Sequence, residues 1–213
     1  MSPLKASLKP RKSAVQARSA ATVEALHTAT LQVLTHQGLT RCTTTRVAER
    51  AGMSVGSLYQ YYPNRDALLA AVLEKHLVEI AQTVESACER YQGMQVGKMA
   101  SGLVTAFLAV KLREPASSKA LYAIAAERGG AELVVRINRR MVAAIAAMLT
   151  SAADAYFEDP TLTAAISLSA MVGPVRALLE GNASPAFEAG LEQQVTRLLS
   201  AYLQTHQKPV TAH

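Results

Sequence analysis

The sequence predicts an all-α protein. Three observations carry that expectation. Half of the 213 residues are apolar, enough to bury a sizeable core. Ala, Leu and Val recur at three- and four-residue spacings, without the alternation a half-buried strand needs. Aromatic residues make up 5% of the chain and Trp is absent, so few side chains favour strands over helices.

Each element follows from its own residues. Residues 1 to 18 are rich in Ser, Pro, Lys and Ala and read as a flexible basic arm. From Ala20 to Gln37, Val23, Leu26, Leu31 and Val33/Leu34 form one helical stripe, and Gly38 stops it. Thr43 or Thr44 caps a second, two-turn helix that turns Val47, Ala48 and Ala51 inward and ends at Gly52. Ser54 caps a third, on which Leu58 and Tyr62 share a face, and Pro63 closes it. Asn64 and Asp66 open a long fourth helix reaching about Gln92. Further helices are expected near 96–113, 116–128, 131–157, 160–180 and 184–206, nine in all, with a kink near Pro174. The implied organisation is an arm (1–18), a small domain (19–66) and a larger helical domain (67–213).

Charge is distributed unevenly. Residues 1 to 66 hold nine Lys or Arg against three acids, while the other 147 hold thirteen of each sign. The whole excess of +6 lies in the first third, which is where a polyanionic partner is expected. Cys42 and Cys88 fall in different helices with no ligand-type residue at metal spacing, so neither a disulfide framework nor a metal site is suggested. The basic first residues lack the apolar stretch of a secretory signal. The uncharged run from Pro160 to Val175 has 16 residues, short of the roughly 20 that span a bilayer. A cytoplasmic protein without cofactor is the expectation.

Helices two and three are joined by Gly52-Met53-Ser54, a turn of helix-turn-helix length. Gly52 permits a left-handed backbone, Met53 fills the gap between helices, and Ser54 caps the helix that would enter a major groove. Small Gly56 and Ser57 allow close approach to DNA. Tyr59 and Tyr61 lie off the inward face, so their hydroxyls can reach phosphates, and Gln60 carries an amide suited to adenine. The stretch from Thr43 to Leu68, TTTRVAERAGMSVGSLYQYYPNRDAL, resembles the DNA-binding signature of the tetracycline-repressor (TetR) family nearly end to end. With the first helix included, the likeness covers roughly residues 20 to 68. Tyr62, Arg65 and Asp66 stand where Phe, Lys and Glu are commoner. The resemblance implies a homodimer on a palindromic operator. By position it places Thr44, Thr45, Tyr59, Tyr61 and Arg65 on phosphates, with Arg46, Val55, Gly56, Ser57 and Gln60 near base edges.

The second half has no comparable signature, and its reading is physical. Leu162, Ala165, Ile166, Ser169 and Ala170 form a small-residue face, and Leu191, Val195, Leu198 and Tyr202 an apolar stripe. Paired across a two-fold axis, these would make a four-helix dimer interface. Met99, Leu103, Phe107, Met141 and Ile145 have few bulky neighbours in sequence and are expected to line an apolar effector cavity, with Asn138 and His76 as its polar groups. Arg136, Arg139 and Arg140 read as a solvated face. No catalytic triad, carboxylate pair or phosphate loop appears at recognisable spacing, which argues against an enzyme. A DNA-packaging protein would not need about 145 residues after its DNA-binding module. The expected function is therefore a ligand-responsive regulator, most simply a repressor released by a small, mainly hydrophobic effector. Activation is left open by the sequence.

Overall fold

The computed structural model describes residues 11–126 and 130–206. Among them it contains nine α-helices, a short 3-10 turn and no strand. The helices are α1 (Arg11–Gln37), α2 (Thr44–Arg50), α3 (Val55–Tyr59), α4 (Arg65–Tyr91), α5 (Val96–Leu112), α6 (Pro115–Ala125), α7 (Gly130–Thr150), α8 (Pro160–Leu179) and α9 (Pro185–Gln204). The chain divides into two compact units, residues 1–72 and 73–213, with the division inside α4. The expected arm is only partly described: residues 1–10 lie outside the described residues, and 11–18 are the first turns of α1.

In the first unit, α1 packs on α2 and α2 on α3, and Leu26, Ala29, Val33 and Leu34 of α1, Val47 and Ala48 of α2 and Leu58 of α3 are buried. Leu68, Leu69 and Val72 on the first turns of α4 are also buried. At full burial such side chains each contribute about 1.5–3 kcal/mol. Cys42, 1% exposed, sits at the edge of this core, and burial raises its thiol pKa.

The second unit is built around α5. Val96, Met99, Ala100, Leu103, Val104, Phe107, Leu108 and Val110 are all buried, so α5 is apolar on nearly every side. It packs on α9, and α7 and α9 flank α8. Cys88 on α4 lies inside this core, its thiol pushed up to about 12, chiefly by burial. Two glycines explain themselves. A Cβ on Gly102 would stand 2.0 Å from the Tyr91 ring, so that ring sits where a side chain would be. Gly181 adopts φ +82 at the end of α8, where the amides of Gly181 and Asn182 bond back to Leu178 and Ala177.

Several expectations are corrected. α7 stops at Thr150, seven residues early, because the segment after it has another use. Ser151 Oγ accepts the Gly93 amide at 2.8 Å, and Asp154 Oδ1 accepts the Val96 amide at 2.9 Å. Asp154 thereby caps α5, which has no cap of its own at Gln95. α8 is 20 residues long and apolar enough to cross a membrane by length and composition. It nevertheless packs between α7 and α9, buries Ala164, Leu168, Met171 and Val175, and runs through Pro174 to Leu179 as one helix. Arg136 and Arg140 are not simply solvated: they pair with Glu74 and Glu85 of α4.

Candidate nucleic-acid interface

The helix-turn-helix is assembled by local chemistry. Thr43 Oγ1 accepts the Arg46 amide at the start of α2. At its end Ala51 leads into Gly52 at φ +69, and the amides of Gly52 and Met53 bond back to the carbonyls of Glu49 (3.1 Å) and Ala48 (3.0 Å). That double bond is a Schellman closure, which needs the left-handed residue glycine supplies. Ser54 Oγ then accepts the Ser57 amide at 3.0 Å and opens α3. α3 ends at Tyr59, four residues before Pro63, with Gln60 as its C-cap.

These turns fix what faces outward. Leu58 is fully buried, whereas Tyr59 is 49% exposed and its hydroxyl pairs with Thr44 Oγ1 at 3.2 Å. Two hydroxyls, one from the start of α2 and one from the end of α3, thus meet on one surface. Ser54, Gly56, Thr45, Arg46 and Gln60 are exposed beside them, and Val55, Ser57 and Tyr61 are half-buried. Arg46 donates from Nη1 to the Arg41 carbonyl at 3.1 Å, which steadies its stem. Gly56 has no left-handed φ, and a Cβ there would meet only Ser54 Oγ, at 3.7 Å. Nothing inside the domain requires a glycine at that position.

Arg65 has partners inside the domain. Its Nε donates to the Cys42 carbonyl and its Nη2 to the Leu39 carbonyl, both at 2.7 Å, with Asp66 3.4 Å from Nη1. The guanidinium is a clamp between the start of α4 and the turn before α2. A second tie escaped the sequence reading. Tyr62 Oη hydrogen-bonds His27 Nε2 at 2.7 Å, joining the end of the helix-turn-helix to α1. Partial burial raises the Tyr62 pKa. The spacing of 35 residues left no local signal for this pair.

The second unit rearranges both of its candidate sets. Met99, Leu103, Phe107, Met141 and Ile145 are at most 5% exposed and belong to the packed core. Leu191, Val195, Leu199 and Leu203 of α9 fill the space against α5 that the sequence left unassigned. Leu191 and Val195 are therefore core residues and leave the expected dimer face, and Tyr202 packs partly against the same core. Asn138 is half-buried and outside that cluster. What remains outward is Leu162 (57% exposed), Ile166 (44%) and Ser169 on α8, with Leu198 (54%) and Phe187 (40%) on α9. Ala165 and Ala170 are half-buried between them and the core.

A helical domain that presents a capped helix-turn-helix with hydroxyl, amide and guanidinium groups outward is a DNA-binding regulator in form. Residues 26–72 match the model of bacterial regulatory proteins of the tetR family, and residues 97–203 match that of the tetracyclin repressor-like C-terminal domain. The chain belongs to the TetR family of DNA-binding transcriptional regulators, which are not enzymes. No curated protein sequence matches it. Among solved structures, a protein of Mesorhizobium loti assigned to the TetR-family regulators is 18% identical, with 90% of this chain and 99% of that one covered and a TM-score of 0.72. The fatty acid degradation regulator FadR of Bacillus halodurans is 15% identical, with 87% and 97% covered and a TM-score of 0.69. FadR of Bacillus subtilis, solved in complex with stearoyl-CoA, is 13% identical, with 84% and 98% covered and a TM-score of 0.66.

Proposed function

We propose that the protein is a cytoplasmic, homodimeric repressor that binds a palindromic operator through α3 and releases it when a small, mainly hydrophobic effector occupies the second unit. The observation that carries the DNA-binding surface is Gly56. Its glycine is required by neither backbone angle nor internal packing, so its small size serves an external surface that must come close to the helix. Thr44, Thr45 and Tyr59 then hold phosphates around it, while Arg46, Val55, Ser57 and Gln60 approach base edges. Tyr61, half-buried, contributes its hydroxyl at the margin.

The dimer reading rests on the outward face of α8 and α9. Leu162, Ile166 and Leu198 are large apolar side chains left in water in a single chain, and Gly173, seven residues beyond Ile166 on α8, has open space around it. A hollow of about 230 Å³ lined by Pro174, Phe187, Gly190 and Leu198 offers a second copy something to fill. The effector reading draws on the apolar core of the second unit and on the acyl ligand that Bacillus subtilis FadR holds.

The experiment is operator selection from random DNA followed by fluorescence anisotropy. Tyr59→Phe should weaken binding to the selected site by about 1 kcal/mol without changing its consensus. Gly56→Leu should abolish binding while the fold persists. Selection that yields no palindrome, or unaltered affinity in both variants, would refute the reading.

A further inference from the structure

Two half-buried side chains of the second unit hold a buried polar atom without a hydrogen-bond partner, and a buried lysine is associated with them. Lys111 on α5 is 7% exposed, and its ammonium lies 4.6 Å above the ring of Tyr122, with no carboxylate paired to it among the described residues. Tyr122 on α6 holds its hydroxyl in the interior with no hydrogen-bond partner. His76 on α4 likewise buries Nε2 without one. Burial keeps Lys111 at about 8 and Tyr122 at about 12, and burial with the nearby Lys111 charge keeps His76 at about 4. At neutral pH the cluster is thus an ammonium, a phenol and a neutral imidazole. Buried polar atoms are ordinarily satisfied, and two that are not, with an ammonium held over one of their rings rather than by a carboxylate, depart from that rule.

The neighbouring cations do not share the vacancy of charge. Arg176, whose guanidinium is 5.4 Å from the same ring, is bound to Glu180 at 2.7 Å. Arg113 is bound to Glu79 at 2.6 Å. Glu114, the other carboxylate near His76, accepts from Ser117 Oγ at 3.0 Å. Lys111 is thus a single ammonium without a direct ionic partner among the described residues, which fits a monoanion better than a phosphate dianion. A carboxylate offers two oxygens with about four acceptor sites, enough for an ammonium, a hydroxyl and an imidazole N–H. Leu108, Val110, Leu121 and Ile124, the buried neighbours of these groups in sequence, are apolar.

We propose that Lys111, Tyr122 and His76 form the polar end of the effector site and hold the carboxylate of a monoanionic small molecule whose remainder is apolar. The proposal rests on the effector reading above and supplies the chemical class of the ligand. It also removes Asn138 from the centre of the site and keeps His76 there.

The test is isothermal titration calorimetry of the full-length protein with octanoate, phenylacetate and benzoate, each against its primary amide. At least one carboxylate should bind, with its amide at least about tenfold weaker, the factor that separates a charged from a neutral partner by about 1.4 kcal/mol. Lys111→Met should erase that preference by weakening the acid alone, and Tyr122→Phe should reduce it. Should Lys111→Met fail to fold, the parent protein gives an independent readout: binding at pH 8.5 should take up roughly half to one proton, as the anion restores the Lys111 charge. No carboxylate binding, equal binding of acid and amide, or parental preference in Tyr122→Phe with no proton uptake would overturn the proposal. Operator release separates it from the reading beneath it. A carboxylate that binds through Lys111 yet leaves the operator occupied sinks the sensor and spares the site. Release by a neutral compound, undiminished in Lys111→Met, does the reverse.

Discussion

Replacing Arg65 by Ala decides between two uses of one guanidinium. The structure gives it two 2.7 Å hydrogen bonds to the carbonyls of Cys42 and Leu39, and the side chain is 31% exposed. Hydrogen bonds from a charged donor contribute about 1.5–3 kcal/mol each, and partial exposure argues for the lower end. Arg65→Ala should therefore lower unfolding free energy by about 2–3 kcal/mol, read from urea denaturation followed by circular dichroism. Arg65→Lys keeps the charge but not the fork that spans two carbonyls, so it should recover about half of the loss. The other use is the phosphate contact expected from the sequence. A lost phosphate contact reduces the slope of log affinity against log salt by about 0.9 and leaves stability alone. Operator binding at several salt concentrations reads that slope, which the clamp leaves unchanged. Stability within about 0.5 kcal/mol of the parent, together with a slope reduced by about 0.9, would refute the clamp.

Gly102→Ala brings a methyl carbon to 2.0 Å from the Tyr91 ring, and overpacking should cost about 1–3 kcal/mol despite alanine's better helix propensity, with Gly102→Ala/Tyr91→Ala recovering part of it. A single variant as stable as the parent would show that the ring moves freely. His76 takes up a proton near pH 6.5 when unfolded and near 4 when folded, so between those values the unfolded state binds more protons and stability falls as pH drops. The loss should be on the order of 2–3 kcal/mol by pH 4 and absent in His76→Phe, measured as the difference between the two proteins' urea midpoints across that range. Ile166→Arg or Leu198→Glu should leave the helical content intact and convert the dimer to monomer in sedimentation, because each puts a charge on the outward face of α8 or α9. Dimers of unchanged affinity in both variants would move the interface elsewhere.

The helix-turn-helix was legible because everything that makes it is close in sequence. Thr43, Gly52 and Ser54 act within five residues of themselves, and their caps and closure appear where composition placed them. The second unit was harder for a physical reason: periodicity identifies an apolar face but not its neighbour. The Leu191 and Val195 stripe was correctly apolar, yet α5 covers it within the same chain, and the same packing fills the space around Met99 and Phe107. The early end of α7 depends on Ser151 and Asp154 meeting amides 58 residues away, for which no local pattern exists. Lys111 carries no local signal: a lone lysine in the last turn of an apolar helix reads as reaching solvent, and only the packing of α6 on α5 brings the Tyr122 ring under its ammonium.

The two cysteines give each unit its own chemical clock. Cys42 in the first unit is 1% exposed and Cys88 in the second 4%, and burial holds both thiols protonated. Alkylating agents attack the thiolate, so neither sulfur reacts until its surroundings open. Where reclosing outpaces labelling, the alkylation rate of each sulfur measures how often its neighbourhood opens. Mass spectrometry can assign a label to the peptide of Cys42 or of Cys88 from a single sample. Loosening of the operator-binding helices and loosening of the larger bundle can then be timed separately, in the unaltered protein, with no engineered probe.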